Sequence, residues 1–163
     1  MFTKSYWIDT FENGGAIGIM PRPRGNDWLS DEVNKLRVSG VNTIVSLLEK
    51  EEIKELGLKE EEKLCIEQQI HFINFPIKDR TTPKEQAAVD KLIKLLNDKV
   101  DKGEKVVIHC RMGIGRVSLI AGAMLIQRGL QTEDIIVKIT KARELKVPDT
   151  EEQVLWLKRL EKK

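Results

Sequence analysis

Apolar residues recur along this chain with two different periods, and the two kinds of segment alternate. Runs rich in apolar and β-branched residues over 16–20, 41–48, 70–77 and 105–108 predict strands. Between the last two runs, apolar side chains spaced by three and four positions predict one long helix over 84–102. Further helices are predicted from about 27–30 to 40, and over 49–57, 59–69, 116–128, 132–145 and 150–162.

Strands that are connected through helices predict an α/β fold with a central, largely parallel sheet flanked by helices on both faces. With 163 residues the chain is long enough for one full core and short for two, so we expect a single domain over 1–163. The helix predicted after residue 116 is apolar on nearly all sides and should be buried. In such folds ligands bind beyond the carboxyl ends of the strands.

Composition narrows the class of partner. The chain is 33% charged with a net charge of +2, which is too mild to indicate nucleic acid or a membrane surface. No apolar run approaches the roughly 18 residues of a membrane span, and the first residues lack a signal-peptide core. Two cysteines suit a reducing compartment. We therefore expect a cytoplasmic, monomeric protein without stable membrane association and without a nucleic-acid partner.

The candidate chemistry lies in residues 109–116, between the strand over 105–108 and the buried helix. A lone cysteine at the end of an apolar strand is more often a core residue than a nucleophile. Here Arg116 follows Cys110 at six positions, and its planar fork matches two phosphate oxygens. Gly113 and Gly115 allow the backbone amides of the turn to face an anion at the helix N-terminus. The same field favours a thiolate, so the pattern indicates a phosphate-binding nucleophile site.

His-Cys followed by five residues and Arg resembles the signature of the cysteine-dependent protein tyrosine phosphatase superfamily. The segment 75–83 resembles the general-acid loop of dual-specificity phosphatases, and the Gly-x-Gly-Arg ending resembles that of kinase-associated phosphatase. The resemblance covers roughly residues 40–157. It implies a hydrolase with a phosphate-binding loop (P-loop) and a phosphocysteine intermediate.

The resemblance also implies a role for each residue of the site. Cys110 attacks phosphorus, Asp79 protonates the leaving oxygen and then acts as base, and no metal or cofactor takes part. Asp79 is the only carboxylate between His71 and Pro83, although Asp is also common in simple turns. The phosphate oxygens are held by the loop and its arginine, that is by Arg111, Met112, Gly113, Ile114, Gly115 and Arg116.

Supporting residues are predicted around this set. His109 orders the loop in the family and is not the base. Gln153 falls where related phosphatases bring a polar residue over the loop, where it positions the hydrolytic water; a surface helix residue is the alternative. Arg80 and Arg111 would make the entrance positive. Arg22 and Arg24 either border the pocket or lie in a solvated turn.

Two positions leave questions open. Family members usually carry Ser or Thr directly after the loop arginine, where this chain has Val117, and Ser118 points about 100° away on a helix. We therefore expect slow breakdown of the phosphoenzyme. Cys65 is either a core thiol or, by analogy with related phosphatases, the partner of Cys110 in a reversible disulfide.

The leading function is hydrolysis of Ser/Thr/Tyr phosphomonoesters on a phosphorylated protein substrate. Tyr6 is the only tyrosine, and no tyrosine-clamping segment is evident. The alternatives are a phosphoinositide or small phosphate-ester phosphatase, and a module that binds phosphoproteins with poor turnover. Rhodanese or arsenate reductase chemistry uses similar anion loops, but the upstream Asp79 favours a phosphatase.

Overall fold

A computed structural model describes residues 2–163 and contains a five-stranded sheet with the strand order β1-β2-β5-β3-β4. β1 pairs with β2 in the antiparallel sense, and the other neighbours are parallel. The predicted largely parallel sheet is therefore confirmed. The strands are β1 (Tyr6–Thr10), β2 (Ala16–Met20), β3 (Val41–Ser46), β4 (His71–Asn74) and β5 (Lys105–His109).

Helices cover both faces of this sheet, as predicted. They are α1 (Leu29–Val38), α2 (Lys50–Glu55), α3 (Glu61–Glu67), α4 (Gln86–Asp101), α5 (Arg116–Gln127), α6 (Thr132–Arg143) and α7 (Glu151–Glu161). Because side chains alternate along a strand, Val106 and Ile108 of β5 pack in one core with α4–α7, whereas Val107 packs in the other with α1 and α3. No helix within residues 2–163 has the length and apolarity that a membrane crossing requires.

The structure differs from the sequence-based elements at two strands. β1 is a partly exposed edge strand with polar residues, so its apolar signal is weak, and the sequence did not predict it. A strand is expected over 70–77, but the regular hydrogen bonding of β4 ends at Asn74, because Pro76 has no amide hydrogen to donate. Phe75 and Ile77 nevertheless donate to the carbonyls of Ser46 and Leu47, so the segment after β4 stays attached to the end of β3.

α5 is the buried central helix that the sequence predicts. Its residues 116–125 are all buried, including the polar Arg116 and Ser118. The loop between β5 and α5 consequently emerges at the carboxyl end of the central strand, directly in front of a helix N-terminus. This is where Cys110 lies.

Candidate active site

The turn that joins β5 to α5, residues 110–115, is here called the cradle loop. It follows the buried strand β5, and Cys110 is itself 2% exposed. Gly113 has φ +71°, which L side chains rarely adopt, and a Cβ there would lie 2.5 Å from the backbone nitrogen of Pro21. The cradle loop is therefore pressed against the end of β2, and only glycine fits at this position.

Every peptide carbonyl from residue 110 to residue 114 accepts a hydrogen bond from a neighbouring group. In a trans peptide the N–H points opposite to the C=O, so each following amide is directed away from that donor. Within residues 2–163 none of the amides of residues 111–115 donates a hydrogen bond. The donors, in the order of the carbonyls, are His109 Nδ1 (3.3 Å), the Arg22 amide (3.2 Å), Arg143 Nη2 (3.3 Å), Arg143 Nε (2.8 Å) and Ser118 Oγ.

Five amides without a partner in residues 2–163, in one tight turn next to the N-terminus of a buried helix, are an arrangement that can bind an anion. Ser118 is the last donor of this set, since its Oγ donates to the Ile114 carbonyl. Its hydroxyl is thus used to hold the cradle loop. Val117 beside it is fully buried in the core. Ser118 therefore does not replace the Ser or Thr that family members usually carry at position 117.

Arg116 is buried at the base of the cradle with its guanidinium oriented by protein partners. Nη1 donates to Glu52 Oε1 and to the Ile77 carbonyl, both at 2.8 Å, and Nη2 donates to Glu52 Oε2 at 2.9 Å. Nε has no partner and is one of three such buried side-chain atoms within residues 2–163. One edge of the fork is therefore fixed, and the edge that carries Nε is left for an oxyanion.

Glu52 is a residue of this site that the sequence reasoning missed. Its Oε1 also accepts from the Glu49 amide at 3.0 Å in a capping box, so the same carboxylate begins α2 and orients Arg116. Burial alone would raise the pKa of Glu52, but the hydrogen bonds from Arg116 and from the Glu49 amide hold it below its ordinary value. Burial likewise opposes the charge on Arg116, and its pKa is nonetheless raised by Glu52, Cys110 and Asp79.

Acid should weaken the fold through Glu52. A carboxyl whose pKa is lower in the folded state contributes stability that is complete above its ordinary pKa of 4.5 and is lost as the pH falls through the folded value. We expect the urea midpoint to fall between about pH 7 and about pH 3, and Glu52→Gln to reduce this fall. An unchanged pH dependence in Glu52→Gln would contradict the assignment; Glu51→Gln, on the exposed side of α2, is the matched control.

Asp79 lies on the loop after β4, and the structure brings it to Arg116. Its Oδ1 is 3.4 Å from Arg116 Nη2, and its side chain is 55% exposed. Residues 77–82, here called the acid loop after the general acid that the sequence predicts at Asp79, are held on both sides of that residue. Arg116 donates to the Ile77 carbonyl, and Gln153 Nε2 donates to the Thr81 carbonyl at 3.1 Å. The carboxylate therefore stands at the open edge of the cradle.

Gln153 is fully buried, so the alternative of a surface helix residue is wrong. Its side-chain oxygen accepts from the Thr150 amide in the capping box of α7, while its nitrogen is bonded to Thr81. A Cβ on Gly115 would lie 3.0 Å from this amide group. Both polar atoms of Gln153 thus have protein partners, and the side chain joins α7, the acid loop and the cradle loop.

The same glycine reveals a second carboxylate that the sequence reasoning did not identify. A Cβ on Gly115 would also collide with the carboxylate of Asp149, which therefore lies directly over the cradle loop. Asp149 stands in an irregular segment just before α7. Nothing in its sequence context distinguishes it from an ordinary turn residue.

His109 is fixed by Glu61, another glutamate that the sequence did not single out. The Nε2 of His109 is 2.7 Å from Glu61 Oε2, and both side chains are buried. Because the carbonyl of Cys110 can only accept, Nδ1 carries a proton there. The ring thus contacts the first peptide of the cradle loop, and the supporting role of His109 stays a prediction.

Of the basic residues predicted near the site, Arg111 and Arg22 lie at the cradle loop, and Arg24 does not. Arg111 pairs with Glu55 at 3.1 Å, and Met112 is 62% exposed at the rim. The Arg22 amide contacts the cradle loop, whereas Arg24 is bound to Glu32 at 2.8 Å and stacks on Trp28. Arg24 is thus part of a structural cluster on α1.

Cys65 behaves as a core thiol. It packs in the core beneath α1 and α3, whereas Cys110 belongs to the core on the opposite face of the sheet. Both thiols are free. Burial, together with Glu61 and Glu62, raises the pKa of Cys65 well above its ordinary value, which makes it a poor partner for disulfide exchange.

Comparison with known proteins agrees with this geometry. The chain is 30% identical over 104 residues to "Protein tyrosine phosphatase type IVA 2" of Mus musculus, a match that covers 57% of this chain and 62% of that protein. The chain thus spans less than two thirds of that relative.

Solved structures share the fold over nearly the whole chain. A structure of kinase associated phosphatase with its catalytic site cysteine replaced by serine superposes with a TM-score of 0.86 at 18% identity, covering 96% of this chain and 93% of that one. A structure of Tk-PTP in its active form superposes with a TM-score of 0.76 at 26% identity, covering 98% of this chain and 97% of that one. Residues 18–130, more than half of the chain, match the family described as "Polymorphic toxin system, DSP-PTPase phosphatase", and the chain belongs to that family.

Proposed function

We propose that this protein is a cysteine-dependent phosphatase of dual-specificity type that hydrolyses phosphomonoesters on protein side chains. The observation that carries the proposal is the buried Arg116 near Cys110, at the end of the cradle loop. Among the residues that the structure describes, neither its Nε nor any of the five amides of residues 111–115 has a hydrogen-bond partner. Leaving such donors unbonded in a protein interior is costly unless a ligand completes them. A phosphoryl group has the charge and the three equatorial oxygens that this set can hold.

In the first step Cys110 attacks phosphorus in line, the P–O bond to the leaving group breaks, and the phosphoryl group is transferred to sulfur. The amides of the cradle loop and the free edge of Arg116 stabilise the charge on the equatorial oxygens, and they need no reorganisation because Glu52 already orients the guanidinium. Asp79, at the open edge, protonates the leaving oxygen.

In the second step water attacks the phosphocysteine and sulfur leaves as the thiolate. Two carboxylates flank the cradle, Asp79 on the acid loop and Asp149 over Gly115. Either can accept the proton of the attacking water, and the two are separable by experiment. Asp79→Asn should slow release of an alkyl leaving group by about 10²- to 10⁴-fold, because the general acid is lost. Asp149→Asn should leave that release unchanged, and it should slow phosphoenzyme hydrolysis only if Asp149 is the base.

The exposure of Met112 at the rim of the cradle loop supports protein substrates with any of the three phosphoamino acids over phosphotyrosine alone. Arg111 in the cradle loop and Arg22 beside it keep a phosphoinositide or small phosphate ester as the second candidate. A phosphoprotein-binding module is the third, because Val117 replaces the usual hydroxyl residue.

Turnover of p-nitrophenyl phosphate tests the proposal directly. The wild type should release p-nitrophenol, and Cys110→Ser should abolish it while still binding phosphopeptides. Failure of the wild type to turn over any phosphoester, with phosphopeptide binding retained, would indicate the binding module. A panel of phosphopeptides and phosphoinositides assayed with wild type and Asp79→Ala then separates the two substrate classes.

Val117 leads to a further prediction about the rate-limiting step. Without a hydroxyl next to the departing sulfur, phosphoenzyme should accumulate, and rapid mixing should show a burst of p-nitrophenol close to one equivalent per enzyme, followed by slower turnover. Val117→Ser should raise the steady-state rate relative to the burst. Val117→Ala, which shortens the side chain without adding a hydroxyl, is the control, and linear kinetics without a burst would contradict the prediction.

A further inference from the structure

Arg143, the last residue of α6, contacts the cradle loop from outside, and neither the sequence motif nor the proposed mechanism uses it. Its Nε donates to the Gly113 carbonyl at 2.8 Å, and its Nη2 donates to the Met112 carbonyl at 3.3 Å. A single guanidinium therefore spans two consecutive peptide carbonyls of the loop. This contact with two carbonyls, here called the two-carbonyl grip, requires a planar guanidinium whose several donors are fixed in direction. The ammonium group of lysine lacks this geometry.

The grip determines where two amides point. The Met112 carbonyl shares a trans peptide with the Gly113 amide, and the Gly113 carbonyl shares one with the Ile114 amide. With both carbonyls turned outward to Arg143, both amides are turned to the opposite side, where neither has a hydrogen-bond partner among residues 2–163. A cationic donor on the carbonyl also polarises the peptide and strengthens its N–H as a donor.

Arg143 is braced by β1, the strand that the sequence did not predict. Its guanidinium stacks on the ring of Tyr6 at 4.2 Å, and Lys4 approaches the same ring at 5.1 Å. The guanidinium thus has a π face to pack on while its N–H edge faces the loop. The N-terminal hairpin is in this way connected to the anion site.

We propose that Arg143 is a positioning residue that fixes the cradle loop in its anion-binding conformation, with Tyr6 as its support. The proposal rests on the proposed function to the extent that the cradle binds an oxyanion. It predicts that Arg143 acts through the geometry of the loop and not merely through its charge. Two substitutions separate these causes: Arg143→Met removes the charge and the fork, and Arg143→Lys removes the fork alone.

Binding of tungstate, measured by calorimetry, tests this without requiring turnover. Hydrogen bonds from charged groups are strong, so Arg143→Met should weaken tungstate binding by about tenfold to a hundredfold. Arg143→Lys should lose nearly as much. In the p-nitrophenyl phosphate assay both variants should lower kcat more than they raise KM, because the transition state needs the loop amides most.

Arg128→Met is the matched control, since Arg128 also stacks on an aromatic ring, Phe11 at 4.6 Å. Its guanidinium donates to Asn97 and Asp101, which lie outside the cradle loop. Arg128→Met should leave tungstate binding unchanged even where it lowers the melting temperature. Wild-type affinity in Arg143→Lys would overturn the proposal in favour of charge alone. Wild-type affinity in Arg143→Met would overturn it by showing that Arg143 does not contribute to anion binding. If the wild type itself fails to bind tungstate, the proposed function falls, and this proposal with it.

Discussion

Replacing Arg116 by lysine should reduce kcat/KM for p-nitrophenyl phosphate by about 10³-fold, because loss of a single preorganised donor to a developing charge already costs about 10²- to 10³-fold. The expected loss follows from how the guanidinium is used. Nη1 and Nη2 are bonded to Glu52, so the oxyanion receives the edge with Nε, and lysine has no second donor at that place. Steady-state kinetics of the purified variant check this.

The control for this substitution is Arg128→Lys, which changes another guanidinium within a hydrogen-bonded cluster. Arg128 donates to Asn97 and Asp101, outside the candidate site. The Arg128→Lys variant should therefore keep the wild-type kcat/KM for p-nitrophenyl phosphate. Lysine at 116 retains a positive charge for Glu52, so the fold should persist, and circular dichroism of the variant verifies it. Near-wild-type turnover by a folded Arg116→Lys would contradict the role given to the free edge.

Replacing Glu52 by alanine should lower both stability and activity. Removing one partner of a buried ion pair leaves an uncompensated charge, which costs about 3–5 kcal/mol. For a chain of this size that corresponds to a fall in melting temperature of about 6–20 °C. Activity should fall as well, since Arg116 loses the carboxylate that orients it. Differential scanning calorimetry and the p-nitrophenyl phosphate assay measure the two effects.

Glu51→Ala serves as the comparison, because Glu51 is exposed and lies beside Glu52 in the first turn of α2. Its effect on stability should stay within about 0.5 kcal/mol, as for other surface substitutions. The loss of stability in Glu52→Gln should lie between the losses in Glu52→Ala and Glu51→Ala, since the amide oxygen can still cap the helix. Equal melting temperatures for Glu52→Ala and Glu51→Ala would show that the buried pair contributes nothing.

The cradle loop could be predicted because the residues that define it are close together in the sequence. Cys110, Gly113 and Arg116 lie within one turn, and the strand before them and the apolar helix after them define its ends. The parallel sheet was equally accessible, since strands buried on both faces are nearly continuous apolar runs. The assignments to Cys110, Arg116 and Asp79 as catalytic residues remain predictions that the kinetic experiments above decide.

The residues that orient the site could not be predicted in the same way. Glu52 and Glu61 occur in an acidic, lysine-containing stretch that is typical of solvated helices, and only the tertiary packing of α2 and α3 buries them. Arg143 and Asp149 reach the cradle loop from the far end of the chain. Arg143 contacts Gly113, and Asp149 lies against Gly115. These contacts between distant parts of the chain exist only in the folded protein, so the sequence alone does not indicate them.

The central claim is that a phosphoryl group passes through the sulfur of Cys110, and mass spectrometry after rapid acid quench tests it most directly. During turnover of p-nitrophenyl phosphate, the intact protein should carry one phosphoryl group, and peptide mapping should place it on Cys110. Cys110 that stays unmodified while p-nitrophenol is being released, or a phosphoryl group on another residue, would contradict the account.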